Sequence, residues 1–167
     1  MSHTITNGEV AALQEHWQII KPRGEYYVAD EIINAYLAGG KEALGLTQQA
    51  LVTFLVKNVD KTVSYRSDIY KYFNGCGFHP QRAYLKIIAW DTFEILITIP
   101  PEEFLDSEFL DMYKYIGKLE ESVKQQLFRM YFSFAEESED LDEKQMYSDG
   151  FVLRHVQQKL TNGERVK

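Results

Sequence analysis

What is scarce in this sequence narrows its class before any residue is given a role. There is one cysteine, Cys76, so an internal disulfide framework is excluded and a reducing compartment fits. No apolar run approaches the roughly 18 residues that a membrane span requires, and Met1 to Gly8 is polar, without the basic-then-apolar plan of a secretory signal. These absences point to a cytosolic chain with no membrane segment. Glycine loops for phosphate are missing too. Gly39-Gly40 and Gly75-Cys76-Gly77 carry neither the Lys-Ser/Thr of a P-loop nor the glycine pattern of a dinucleotide turn, so no nucleotide cofactor is expected. There is no internal repeat.

What is present is a core. With 167 residues, 45% hydrophobic and 14% aromatic, the chain has enough apolar surface for one packed domain. The clearest stretch runs from Phe93 to Phe134. Phe93, Ile95, Ile97 and Ile99 alternate with Glu94, Leu96 and Thr98, the two-residue period of a half-buried strand, which Pro100-Pro101 stops. Leu105, Phe109, Met112, Ile116, Leu119 and Val123 then recur at three- and four-residue steps, the stripe of a helix packed on one side. Phe128, Met130, Phe132 and Phe134 alternate again. Strand, helix and strand in this order predict a βαβ crossover with parallel pairing.

Upstream, Val10, Leu13, Trp17 and Ile20 fit a short helix over Glu9 to Ile20, and Val28, Ile32, Ile33, Tyr36 and Leu37 fit another over Glu25 to Ala38, closed by Gly39-Gly40. Thr47 is a cap candidate for a helix to Asn58, followed by a β-prone Lys61 to Ser64 and a helix over Ser67 to Phe73. From Pro80 to Trp90 the residues Tyr84, Ile87, Ile88 and Trp90 fit one side of a helix. They also fit a strand hairpinned to Phe93 to Ile99 through Asp91-Thr92, and the aromatic and β-branched content favours the strand. Asp149-Gly150 marks a turn before a last strand, Phe151 to Val156. The expected architecture is a single α+β domain over 1–167. A helical N-terminal half, about 1–78, precedes a small mixed sheet, about 79–160, covered on one face by a crossover helix from Glu102 to Val123.

The net charge of −7 is unevenly distributed. Residues 1–56 carry three Lys/Arg and six Asp/Glu, residues 57–90 six and two, and residues 91–167 nine and seventeen. A basic middle therefore sits between acidic flanks. Glu136, Glu137, Glu139, Asp140, Asp142 and Glu143 form an acidic connector that does not match the twelve-residue calcium loop. Steering toward a partner protein with a basic surface is the function it suggests.

The basic middle resembles winged-helix DNA-binding domains in the order of its elements. The resemblance runs from Leu46-Thr47 through Gln48–Asn58, Thr62-Val63-Ser64, Arg66–Phe73, a glycine turn and a segment from Pro80, with Phe93–Ile99 as one arm of a wing. It implies that Gln81, Arg82 and Lys86 face the major groove while Lys57, Lys61, Arg66 and Lys71 neutralise phosphates.

No coherent catalytic set is present. Cys76 and His79 flank Gly77-Phe78, but zinc needs three or four ligands, and His3, His16 and His155 are scattered, so no metal is expected. A nucleophile and base drawn from Cys76, His79 or His155 would need a third orienting group. The leading expectation is a non-enzymatic, cytosolic binding or regulatory protein that recognises another protein through its acidic C-terminal half. The alternatives are a winged-helix-like transcription regulator using residues 46–99 and a small hydrolase or transferase. An edge strand offers a route to a homodimer.

Overall fold

The computed structural model describes residues 17–19, 48–125 and 128–155. Its elements, in chain order, are β1 (Trp17–Ile19), α1 (Gln48–Gly75), β2 (Ala83–Ala89), β3 (Thr92–Ile99), α2 (Pro101–Phe104), α3 (Phe109–Val123), β4 (Arg129–Glu136), α4 (Glu143–Ser148) and β5 (Leu153–His155). The five described strands make one mixed sheet in the order β1-β5-β2-β3-β4, and the fold is α+β.

The period-two runs become strands for the reason the sequence suggests. In β3, Phe93, Ile95, Ile97 and Ile99 are buried on one face, and in β4 Met130 and Phe132 are buried beside them. The two strands pair parallel, Thr92 opposite Arg129 through Ile99 opposite Glu136. The segment 80–90 is a strand: β2 pairs antiparallel with β3, with a turn at Trp90-Asp91. The register steps from Ile87↔Phe93 to Ala89↔Thr92, so Ile88 is the extra residue of a bulge, and it is exposed.

Helices α1 and α3 cover the apolar face. Leu55, Val59, Ile69 and Phe73 of α1 and Phe109, Met112, Ile116 and Val123 of α3 join the inward side chains of β2, β3 and β4 in one core. The opposite face has a smaller cluster, in which Leu141, Met146 and Tyr147 pack around Tyr84 and Phe151. At the end of α1, Gly77 adopts φ +87°. The Phe78 amide donates to the Phe73 carbonyl at 2.9 Å and the Gly77 amide to Asn74 at 3.2 Å. This is a Schellman closure, and it tucks Phe78 into the core.

Several expectations are corrected. Trp17–Ile19 is a strand paired with β5, not the end of a helix, because a buried tryptophan and a sheet partner outweigh a local helical spacing. These three residues add a strand from the first part of the chain to the edge of the sheet. The rest of the first helix, the Glu25–Ala38 helix and the Thr47 cap lie outside the described residues.

The helix from Gln48, the β-prone break and the helix to Phe73 are one helix of 28 residues. Thr62 does not break it, because its hydroxyl donates back to the Val59 carbonyl at 2.5 Å and the residue is buried against the core. The crossover helix is likewise split. Prolines at its start give only the short α2, and α3 begins at Phe109 after a turn in which the Asp106 carboxylate accepts from the Glu108 amide at 2.9 Å. Leu105 falls in that turn, 76% exposed, and does not belong to the buried stripe. The last strand is shorter than expected and begins at Leu153.

Along the outer side of β4, the Glu120 carboxylate of α3 accepts the Phe132 amide at 2.9 Å. That side of β4 has no strand partner among the described residues.

Candidate functional site

The acidic connector is two groups of residues rather than one. Glu137, Asp142 and Glu143 are engaged within the protein. Asp142 caps α4, its carboxylate accepting from the Lys144 and Gln145 amides at 3.0 and 3.1 Å. Glu143 accepts from Arg154 at 2.8 Å and from the Tyr84 hydroxyl at 3.3 Å. Glu136, Glu139 and Asp140 are exposed, and none has a side-chain partner among the described residues.

Glu137 is the most connected. It follows β4 directly, and its amide donates to the Ile99 carbonyl at 2.7 Å, which holds it beside the end of β3. Arg82 grips its carboxylate through Nε at 3.1 Å and through a short contact from Nη2. The Thr98 hydroxyl donates to it at 2.5 Å. Partial burial alone would push this carboxyl up, but the hydrogen bonds from Arg82 and Thr98 and the guanidinium charge more than offset that, and its pKa lies below the ordinary value. The same contacts raise Arg82, its hydrogen bond to Glu137 foremost. Arg82 Nη2 also donates to the Ser138 carbonyl at 2.5 Å.

The residues assigned to DNA do not stand on the elements that the winged-helix resemblance implied. Pro80–Ala89 is a loop and strand where a winged helix needs its third helix, and α1 is unbroken where it needs two. Lys61 lies over the Phe128 ring, 5.1 Å from its centroid, on the face covered by helices, whereas Lys86 lies over Phe151 at 5.6 Å on the other face. Lys57 and Lys71 are exposed. Gln81 donates to the His79 carbonyl at 2.9 Å.

Arg66 departs furthest from expectation. It is only 8% exposed, set into the protein rather than displayed on its surface. Its guanidinium lies 3.9 Å from the Tyr70 ring centroid, and the Tyr70 hydroxyl donates to the Gln81 carbonyl at 2.9 Å. Among the described residues Nε of Arg66 is buried without a hydrogen-bond partner, and burial pushes its pKa below the usual arginine value. Arg66, Gln81, Arg82, Ala83, Glu137 and His155 line a cleft of about 420 Å³.

Cys76, His79 and His155 each have different surroundings among the described residues. Cys76 is exposed after α1, and no hydrogen bond joins it to His79. His79 is held instead by Glu103, with Nδ1 to Oε1 at 2.5 Å and the His79 amide donating to Oε2 at 2.6 Å. His155 stands edge-on to Trp17, ring centroids 5.4 Å apart. Among the described residues no three His, Cys, Asp or Glu side chains are grouped to hold a metal, and no helix is long and apolar enough to cross a membrane.

Sequence spacing could not reveal the cleft, since Arg82 and Glu137 lie 55 positions apart. The one available signal was an arginine in the same three- and four-residue stripe of α1 as Leu55, Val59, Ile69 and Phe73. Compared with protein families, curated proteins and solved structures, the chain has no match.

Proposed function

We propose that this chain is a non-enzymatic cytosolic recognition protein that docks a partner protein presenting basic and apolar side chains. One observation carries the reading: the two most exposed large apolar side chains and the unengaged carboxylates of the connector, Glu136, Glu139 and Asp140, occur at one end of the described structure. Leu105 and Leu110 are 76% and 64% exposed. Parallel pairing places Ile99 opposite Glu136, so the chain leaves β3 toward Leu105 at the end where it leaves β4 toward Glu139 and Asp140. The rings of Phe109 and Tyr113 lie 5.5 and 5.6 Å from that of Phe134, which seats the start of α3 over the same end of β4.

Exposed apolar groups rimmed by charge of one sign are the usual anatomy of a docking surface. The apolar groups supply affinity and the carboxylates supply steering and choice of partner. Glu137 and Glu143 belong to the scaffold of this end, not to its contact surface.

Selection from a displayed peptide library tests the reading. Enriched peptides should combine Lys/Arg with a large apolar residue and weaken with salt. Leu110→Ser should cost about tenfold in affinity, in line with an interface anchor. The triple change Glu136→Ser, Glu139→Ser, Asp140→Ser should cost as much at low salt and less at high salt. Selection of uncharged peptides, or affinities indifferent to both variants, would remove the reading.

A further inference from the structure

In the cleft described above, one cation has no counter-ion among the described residues. Arg82 and Glu137 neutralise one another. Arg66 has no acidic side chain beside it among the described residues, and its contact with Tyr70, through the ring and the hydroxyl, supplies no full negative charge to a guanidinium taken out of water. Arg82 uses Nε and Nη2 on Glu137 and Ser138, which leaves Nη1 without a partner among the described residues. Because the Gln81 Nε2 donates to His79, the amide oxygen of Gln81 remains as an acceptor.

We propose that this cleft binds a small organic monocarboxylate. Its carboxylate sits between Arg66 and Nη1 of Arg82, and a hydroxyl or amide donor on the same molecule faces the Gln81 oxygen. Three features select this class. A single uncompensated charge matches a monoanion. The guanidinium fork matches the planar carboxylate. A volume of about 420 Å³ suits a small organic molecule rather than a bare ion. Phosphate fits worse, because it brings nearly a second negative charge to a lining that already contains the Glu137 carboxylate.

The experiment is a titration of the ¹⁵N-labelled full chain, following the arginine Nε–H resonances, with sodium lactate, lactamide and inorganic phosphate at matched ionic strength. Saturable shifts of the Arg66 and Arg82 signals are expected with lactate, and none with lactamide. Arg66→Met should weaken lactate by about ten- to a hundredfold, the cost of one hydrogen bond to a charged group. Arg66→Lys, which keeps the charge and loses the fork, should fall between. Native protein that shows no saturable response to lactate overturns the proposal whatever the variants do. So does a response that survives Arg66→Met, and phosphate binding as tightly as lactate overturns the ligand class.

Discussion

The two faces of the sheet use the same strands differently. Toward α1 and α3, β2 and β3 direct Ala83, Leu85, Ile87, Phe93, Ile95, Ile97 and Ile99, all buried and all apolar. Toward α4 the same strands direct Tyr84, Lys86, Glu94, Leu96 and Thr98, and polar pairs do much of the work there: Thr98 and Arg82 with Glu137, Ser133 with Glu94 at 2.9 Å, and Tyr84 and Arg154 with Glu143. Packing on the first face is non-directional and shared among many neighbours. On the second, individual partners arrive from distant positions and each must be oriented. The first face should therefore respond to lost volume and the second to lost donors and to pH.

The largest effect should come from the apolar face. Phe93→Ala removes a fully buried ring that contacts Phe128, centroids 5.8 Å apart, and should cost about 3–5 kcal/mol in denaturant unfolding. On the polar face, Glu137→Gln should cost about 2 kcal/mol at neutral pH, through weakened charge-assisted hydrogen bonds. It should also change the pH profile. A carboxyl depressed in the folded state contributes stability above its unfolded pKa and loses it as pH falls through the depressed value. Native protein should accordingly lose stability in acid more steeply than the Glu137→Gln variant, and equal slopes would show that the polar face is not the pH-sensitive one.

Asp142→Ala, which uncaps α4, should cost about 1 kcal/mol by the same unfolding measurement. Leu105→Ser should shift stability by less than about 0.5 kcal/mol. A large loss there would mean that this side chain holds the turn before α3 and is not a free contact for a partner.

Legibility in the sequence follows the same division. The apolar face could be read because Phe93, Ile95, Ile97 and Ile99, and then Phe128, Met130 and Phe132, write a two-residue period with few exceptions. The stripe of α3 was as plain, apart from Leu105, where helical spacing continued past the prolines while the chain turned. The continuity of α1 was hidden by Thr62 and Val63, whose β-branched character matters less when Thr62 is bonded to the preceding turn. Trp17–Ile19 was misread because three residues give no period, and their register partners, Leu153 to His155, come from the far end of the chain. The cleft was illegible for a related reason. Arg66 and Arg82 were read as solvent-facing cations, and only tertiary structure buries one and pairs the other.

The Glu120 side chain on the flank of β4 has a consequence for the behaviour of this protein at high concentration. Met130, Tyr131 and Phe132 make a segment rich in large apolar groups, the kind that templates stacking of identical chains when its backbone is bare. A carboxylate seated on the Phe132 amide occupies a hydrogen bond that an incoming ribbon would need, and places a negative charge in its path. Removing the Glu120 carboxylate should thus make this edge of the described sheet more open to an incoming ribbon.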